Sequence, residues 1–189
     1  RSGRTAEAWD SFGAACSGGT IFQPTDWGEA RRATGWTPHR LAVADPAGRP
    51  QAAALVGLKR RGPVVAAYCQ RGPVWEDPAS LRRLLDLIRA FARDAGAAFV
   101  KVNPDLADGD PTVDVFLAAG YRAVPGEAYA HRGTYQVDLT AGEESIAAAM
   151  EGRTRRAIAR ARREGVQVEF GSDRRILSRF EALATATSG

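Results

Sequence analysis

Leu81, Leu84, Leu85, Ile88 and Phe91 recur three or four residues apart, and Arg82, Arg83, Asp86, Arg89 and Arg93 occupy the positions between them. That period belongs to a helix with one apolar face, and it predicts an amphipathic helix from Ser80 to Ala95, ended by Gly96. A helix striped in this way has to bury its apolar side against a second layer. The flanking sequence supplies that layer. Upstream, Arg40 to Ala44, the turn Asp45-Pro46-Ala47-Gly48 and Gln51 to Leu58 read as a strand hairpin, and Val64 to Gln70 follows Gly62-Pro63 as a third strand of an antiparallel meander. Downstream, Ala98 to Val102 reads as a buried strand stopped by Asn103-Pro104, and Val113 to Ala119 as a helix closed by Gly120. Tyr121 to Val124 and Thr134 to Leu139 are expected to add strands. The fold class is therefore mixed α/β (α+β), a mixed sheet flanked by helices rather than a doubly wound parallel sheet.

Two shorter helices are expected ahead of the meander. Trp9 and Phe12 share one face of the first, which Ser17-Gly18-Gly19 breaks. Asp26 is placed to N-cap the second, running through Arg32. After Asp138-Leu139-Thr140 the theme restarts with helices from Glu143 to Glu151 and Arg153 to Glu164, a strand from Val166 to Phe170, and a helix from about Asp173. A boundary at 139–142 then gives a first domain of residues 1–140 and the opening of a second at 141–189. With 189 residues, 44% hydrophobic and 25% charged, the chain has enough apolar material for one good core and a second one begun. It opens on Arg1 and closes on Ala186-Thr187-Ser188-Gly189, which points to a segment of a longer protein.

Charge is concentrated in one place. Between Glu151 and Glu164 stand six arginines, Arg153, Arg155, Arg156, Arg160, Arg162 and Arg163, and with those two glutamates counted the segment carries the whole net charge of +4. At 100° per residue they wrap most of a helix and leave Met150, Ala157, Ile158 and Ala161 as a narrow apolar stripe. Forked guanidinium donors in that density fit phosphate-rich partners, whether nucleic acid, a nucleotide-linked sugar or an anionic membrane surface. The bland alternative is a solvated charged face.

A second polar feature is the run Tyr68-Cys69-Gln70-Arg71-Gly72-Pro73-Val74-Trp75-Glu76-Asp77-Pro78. Gly allows a tight backbone path and Pro fixes the next step, so Arg71, Glu76 and Asp77 are expected to face one cleft, where a carboxylate can order an amine or accept its proton. His39 and His131 are lone histidines without a metal partner or a nucleophile motif. Serine-hydrolase, P-loop and dinucleotide motifs are absent. Cys16 and Cys69 have neither metal-ligand nor disulfide-framework spacing and fit a reducing cytosol. No apolar run approaches the ~18 residues of a membrane-spanning helix, and no signal segment opens the chain, so a soluble protein is expected.

Taken in order, Ile21-Phe22-Gln23 to Trp27, Arg71-Gly72-Pro73-Val74, Asn103-Pro104, Gly120-Tyr121-Arg122, Thr134 to Leu139 and Arg153 to Val166 resemble the FemABX family, the non-ribosomal peptidyltransferases of peptidoglycan assembly. The resemblance runs through nearly the whole chain. It implies two acyltransferase-like (GNAT-related) domains, of which this chain holds the first and the start of the second. It implies attack by a stem-peptide amine of a peptidoglycan precursor, UDP-MurNAc-pentapeptide or lipid II, on the ester of an aminoacyl-tRNA, with no metal or redox cofactor. A cytoplasmic protein, peripheral at the inner membrane face, goes with that chemistry.

Residue by residue, Arg31 stands where family members commonly carry a lysine four positions past the tryptophan, here Trp27, and would meet the precursor's sugar or phosphates. Tyr68, Arg71 and Glu76 or Asp77 would border the precursor cleft, the carboxylates being the candidates for catalysis. Arg153, Arg155 and Arg156 match the basic helix facing the phosphate-bearing end of the precursor or the tRNA. Two rivals remain open. One is an acyl-CoA-dependent N-acyltransferase of the same fold, for which the pyrophosphate-binding turn is missing. The other is a nonenzymatic RNA-binding module, for which no stacking aromatics interleave with the arginines.

Overall fold

The computed structural model describes residues 6–16, 18–124, 137–171 and 173–187. The chain divides into two compact units, Arg1–Pro125 and Gly126–Gly189.

In the first unit the order is α1 (Ala6–Ala15), α2 (Thr25–Arg32), β1 (Thr37–Ala44), β2 (Pro50–Arg61), β3 (Val64–Gln70), β4 (Val74–Trp75), α3 (Pro78–Asp94), β5 (Phe99–Asn103) and α4 (Val113–Ala118). The expected meander is present: β1 pairs antiparallel with β2, from Thr37 opposite Leu58, and β2 with β3, from Val56 opposite Cys69. β5 joins β3 in parallel, Tyr68 beside Lys101, with α3 as the crossover. The short β4 returns to β2, placing Val74 opposite Ala53. The sheet is thus mixed and flanked by helices, as the sequence pattern predicts.

The alternation of side chains along each strand sorts the sheet into two faces. Ala52, Ala54 and Val56 of β2 and Ala67 and Cys69 of β3 pack under Leu84, Ile88 and Ala92 of α3. Small residues on the strands let the leucine-rich helix sit close. Leu81 and Leu85, on the adjoining edge of α3, meet Phe116 and Ala119 at α4. On the opposite face Ala53, Leu55 and Val74 meet Trp9 of α1, with Trp27 of α2 packed beside them.

Four local expectations are corrected. Asp26 does not cap α2; Pro24 holds that position and the carboxylate of Asp10 accepts from the Thr25 backbone N–H at 2.8 Å. Tyr121 to Val124 is not a strand. Tyr121 instead closes the end of α4, its N–H bonded to the Phe116 carbonyl at 3.0 Å and its hydroxyl donating to the Leu85 carbonyl at 3.2 Å. Residues 166–170 are not a strand either, because no described strand lies alongside to pair with them. Of the strand expected from Thr134 to Leu139, the first three positions lie outside the described residues, and Leu139–Ala141 forms a 3₁₀ turn.

The second unit contains α5 (Glu143–Ala149), α6 (Gly152–Arg163) and α7 (Arg174–Thr187). None of the three has a buried residue. Asp173 starts α7 by accepting from the Ile176 N–H at 2.9 Å. Large apolar side chains stay uncovered in this unit, with Phe170 at 88% and Val168 at 73% exposure. No described helix is long and apolar enough to cross a membrane.

Candidate functional site

The first unit carries a narrow cleft between α2 and the sheet. Phe22, Trp27, Arg31, Trp36, Tyr68 and Gln70 are among its walls, and its free volume is ≈ 30 Å³. That space takes one small group, so a large ligand would lie along the surface with a single part anchored there.

Helix geometry brings the first two groups together. Trp27 and Arg31 are four apart on α2 and share a face, and α2 ends with Arg31 and Arg32 in its last turn, where cations suit the helix dipole. The helix can approach the sheet closely because of Gly28, where a Cβ would lie 3.0 Å from Pro38 and 3.3 Å from Leu55. Gly35, at φ 80°, then turns the chain into β1 and sets Trp36 over the sheet. Its indole rests on Gly57 of β2, where an added Cβ would come within 2.9 Å of the ring. Tyr68 is the partner of Gly57 on β3, and its ring lies 6.1 Å from Trp36.

Cations lie over these rings. The Arg31 guanidinium is 4.9 Å from the centre of Trp36 and 5.9 Å from that of Trp27. Lys59 lies 5.5 Å from Trp36, and Lys101 5.3 Å from Tyr68. Burial pushes the Lys101 ammonium below the usual lysine range. Phe22 meets Trp27 edge to face at 4.8 Å. The result is an aromatic wall holding positive charge, which suits an anion presented next to a flat or apolar surface.

Trp27, Arg31 and Tyr68, singled out from the sequence, therefore converge. Arg71, Glu76 and Asp77 do not line this cleft, and the expectation that they face it together is corrected. Arg71, at φ 45°, pairs with Asp105 at 2.7 Å. Glu76 holds Arg49 through two bonds of 2.8 and 2.9 Å. Asp77 is the N-cap of α3: its carboxylate accepts from the N–H groups of Ala79 and Ser80, both at 2.9 Å, and Ser80 completes a capping box. Those bonds, led by that from the Ser80 N–H, hold the Asp77 carboxyl below the usual aspartate range. Through one oxygen, Oδ1, Asp77 serves the start of α3.

The arginines of α6 belong to the second unit. Arg155 donates to the carbonyls of Ala148 and Met150 at the end of α5, a helix-capping role. Arg153 pairs with Glu151 at 2.7 Å and Arg160 with Glu164 at 2.7 Å. Among the described residues, Arg156 and Arg163 have no ion-pair partner. No group of His, Cys, Asp and Glu that could hold a metal ion occurs among the described residues. A second cavity of ≈ 260 Å³ lies beside α1, but its one ionisable wall residue, Asp10, is committed to Thr25.

Residues 5–112 match the sequence model of the FemAB family. The chain belongs to the FemAB family. It is 28% identical over 196 residues to the lipid II:glycine glycyltransferase of Staphylococcus haemolyticus (strain JCSC1435), an alignment covering 97% of this chain and 46% of the relative. The lipid II:glycine glycyltransferase of Staphylococcus aureus is 27% identical with the same coverage. Among solved structures, the crystal structure of FemX superposes with a TM-score of 0.77 and 26% identity, covering 94% of this chain and 46% of that one. This FemAB chain thus spans about half the length of the relatives it matches.

In this FemAB chain, sequence reasoning passed over Trp36, Lys59 and Lys101. Lys101 was detectable as the one charge inside the apolar run from Ala98 to Val102. Trp36 carried no local signal, because its seat depends on Gly57, which is distant in the chain.

Proposed function

We propose that this chain carries the precursor-binding part of an aminoacyltransferase of peptidoglycan assembly, and that the aromatic cleft grips the anionic, sugar-bearing portion of UDP-MurNAc-pentapeptide or lipid II. The observation that carries the reading is the Arg31 guanidinium held over both Trp27 and Trp36 in the cleft wall. Aromatic faces suit sugar and base surfaces, and a guanidinium pre-oriented by two rings loses little freedom on meeting a phosphate. Tyr68 and Lys101 border the same ligand. The names of the related glycyltransferases support a lipid II-type acceptor.

In the proposed reaction the stem-peptide amine attacks the ester carbonyl of an aminoacyl-tRNA. A C–N bond forms, the C–O bond to the ribose breaks, and the proton lost by the amine ends on the ribose hydroxyl. The ester is already activated, so orientation of two substrates supplies much of the acceleration. Glu76 and Asp77 are left out of this chemistry because both oxygens of Glu76 hold Arg49 and one oxygen of Asp77 caps α3. The exposed arginines of α6, Arg156 and Arg163 foremost, are assigned to the phosphates of the tRNA or of the precursor. The same helix is suited to an anionic membrane surface, and a peripheral position at the cytoplasmic face is part of this reading. The uncovered apolar side chains of the second unit support its reading as the beginning of a second domain, which includes residues 141–189.

The acyl-CoA alternative loses support from α3. A helix N-terminus after a strand is a ready diphosphate site, but here Pro78 brings no N–H and Asp77 already occupies those of Ala79 and Ser80. The test is transfer of a labelled amino acid from a pool of charged tRNAs to UDP-MurNAc-pentapeptide by the protein with its second domain complete. Label in the muropeptide supports the reading; label transferred from acetyl-CoA but not from tRNA contradicts it.

A further inference from the structure

Gln23 is one of two buried polar residues among those described, at 2% exposure. It sits where the sheet comes apart. β2 pairs with β3 up to Val56 opposite Cys69 and resumes with β4 at Ala53 opposite Val74. In between, Ala54 and Leu55 face the four residues Gln70 to Pro73, so the ladder lacks a rung. The Gln23 carboxamide fills it. Its Oε1 accepts from the Leu55 N–H at 2.9 Å, and its Nε2 donates to the Gln70 carbonyl at 2.6 Å and the Phe22 carbonyl at 3.3 Å. The backbone carbonyl of Gln23 is held in turn by the Trp9 indole N–H at 2.8 Å. A side-chain amide has the acceptor and donors that a peptide unit would present, and the reversed orientation would set donor against donor at Leu55.

The three residues so held, Phe22, Leu55 and Gln70, all line the aromatic cleft. We propose that Gln23 is a positioning residue of that cleft: its carboxamide replaces the absent rung between β2 and the end of β3, and thereby sets the spacing at which Arg31 and Tyr68 meet a ligand. The ligand readout below rests on the precursor-binding reading; the geometric claim does not. Gly72 is part of the device, since a Cβ there would overlap the Gln23 carboxamide.

Q23E separates position from bulk. The introduced carboxylate keeps the size and the acceptor for Leu55, but it turns an acceptor toward two carbonyls. Protonated, it can donate to Gln70 again, and burial among carbonyls raises its pKa above the usual ~4.3. In the protein, UDP-MurNAc-pentapeptide should bind Q23E about tenfold more weakly than wild type at pH 8, and to within about threefold of it at pH 5.5. Wild type should change little over that range, because a diphosphate diester keeps its charge. Circular dichroism at both pH values confirms that Q23E is folded. If it is folded at pH 8 and binds like wild type, the proposal is overturned while the functional reading stands. If wild type itself does not bind, the functional reading fails and the indole N–H resonances of Trp27 and Trp36 decide: a shift between the two pH values in Q23E alone supports the proposal, and none overturns it. Should Q23E not fold at pH 8, Gly72→Ala takes its place, with weakened binding in support and wild-type affinity against.

Discussion

Replacing Trp36 by leucine should weaken precursor binding more while Arg31 is present than in its absence. The indole is shared: Arg31 lies 4.9 Å and Lys59 5.5 Å from its centre, whereas Arg31 keeps only the longer 5.9 Å contact with Trp27 once it is gone. A partly exposed cation–π contact contributes about 0.5–1 kcal/mol. If that energy serves to hold the guanidinium where the ligand's anion arrives, its loss raises Kd about two- to fivefold. Arg31→Ala removes the charge-assisted bond itself, worth about 1.5–3 kcal/mol, or about ten- to 150-fold in Kd. The assay is calorimetric titration with UDP-MurNAc-pentapeptide of wild type, W36L, R31A and the double variant. The cycle should show coupling of about 0.5–1 kcal/mol, with W36L costing less in the R31A background than in wild type. Equal losses from W36L in both backgrounds would refute the idea that Trp36 acts by orienting Arg31.

Further consequences concern the carboxylates and the thiols. Glu76→Gln should cost about 0–1 kcal/mol of stability, since it breaks a half-exposed pair with Arg49, and should leave the transfer rate within about twofold, a rate comparison that directly tests the structural assignment of Glu76. Asp77 has a folded pKa below its unfolded one, so its stabilising effect is present above the ordinary aspartate range and is lost as pH falls through the folded value. Asp77→Asn should therefore flatten the acid limb of a Tm-against-pH curve, and an unchanged limb would count against the cap. Burial pushes the Cys69 thiol up to about 12, so iodoacetamide at pH 8 should label the half-buried Cys16 in native protein and spare Cys69 until denaturant is added.

Much of the first unit was legible because its strongest signals are local. The Leu81 to Phe91 stripe needs only helical periodicity, and β3 was bounded by Pro63 and Arg71 as read. The strands that failed to appear, 121–124 and 166–170, lacked what no local pattern can supply, a neighbouring strand. Tyr121 shows the competing force: its ring packs at 6.2 Å from Phe116 and its hydroxyl finds Leu85, so the segment closes a helix instead. In the cleft, Trp27 and Arg31 were readable at i, i+4, while Trp36 over Gly57 and Gln23 between Leu55 and Gln70 depend on long-range register. Asp77 was a misreading of a signal that was present. Asp-Pro followed by Ser80 three positions after the Asp is a helix start, and the adjacent Gly-Pro turn drew attention to its charge instead.

The central claim, that the Trp27–Arg31–Trp36 cleft holds a peptidoglycan precursor, is tested most directly by titrating the protein with UDP-MurNAc-pentapeptide at low salt while following tryptophan fluorescence. Saturable binding, weakened at least about tenfold by Arg31→Ala and not displaced by coenzyme A, is the predicted result. No saturable binding, or binding indifferent to Arg31→Ala, would contradict it.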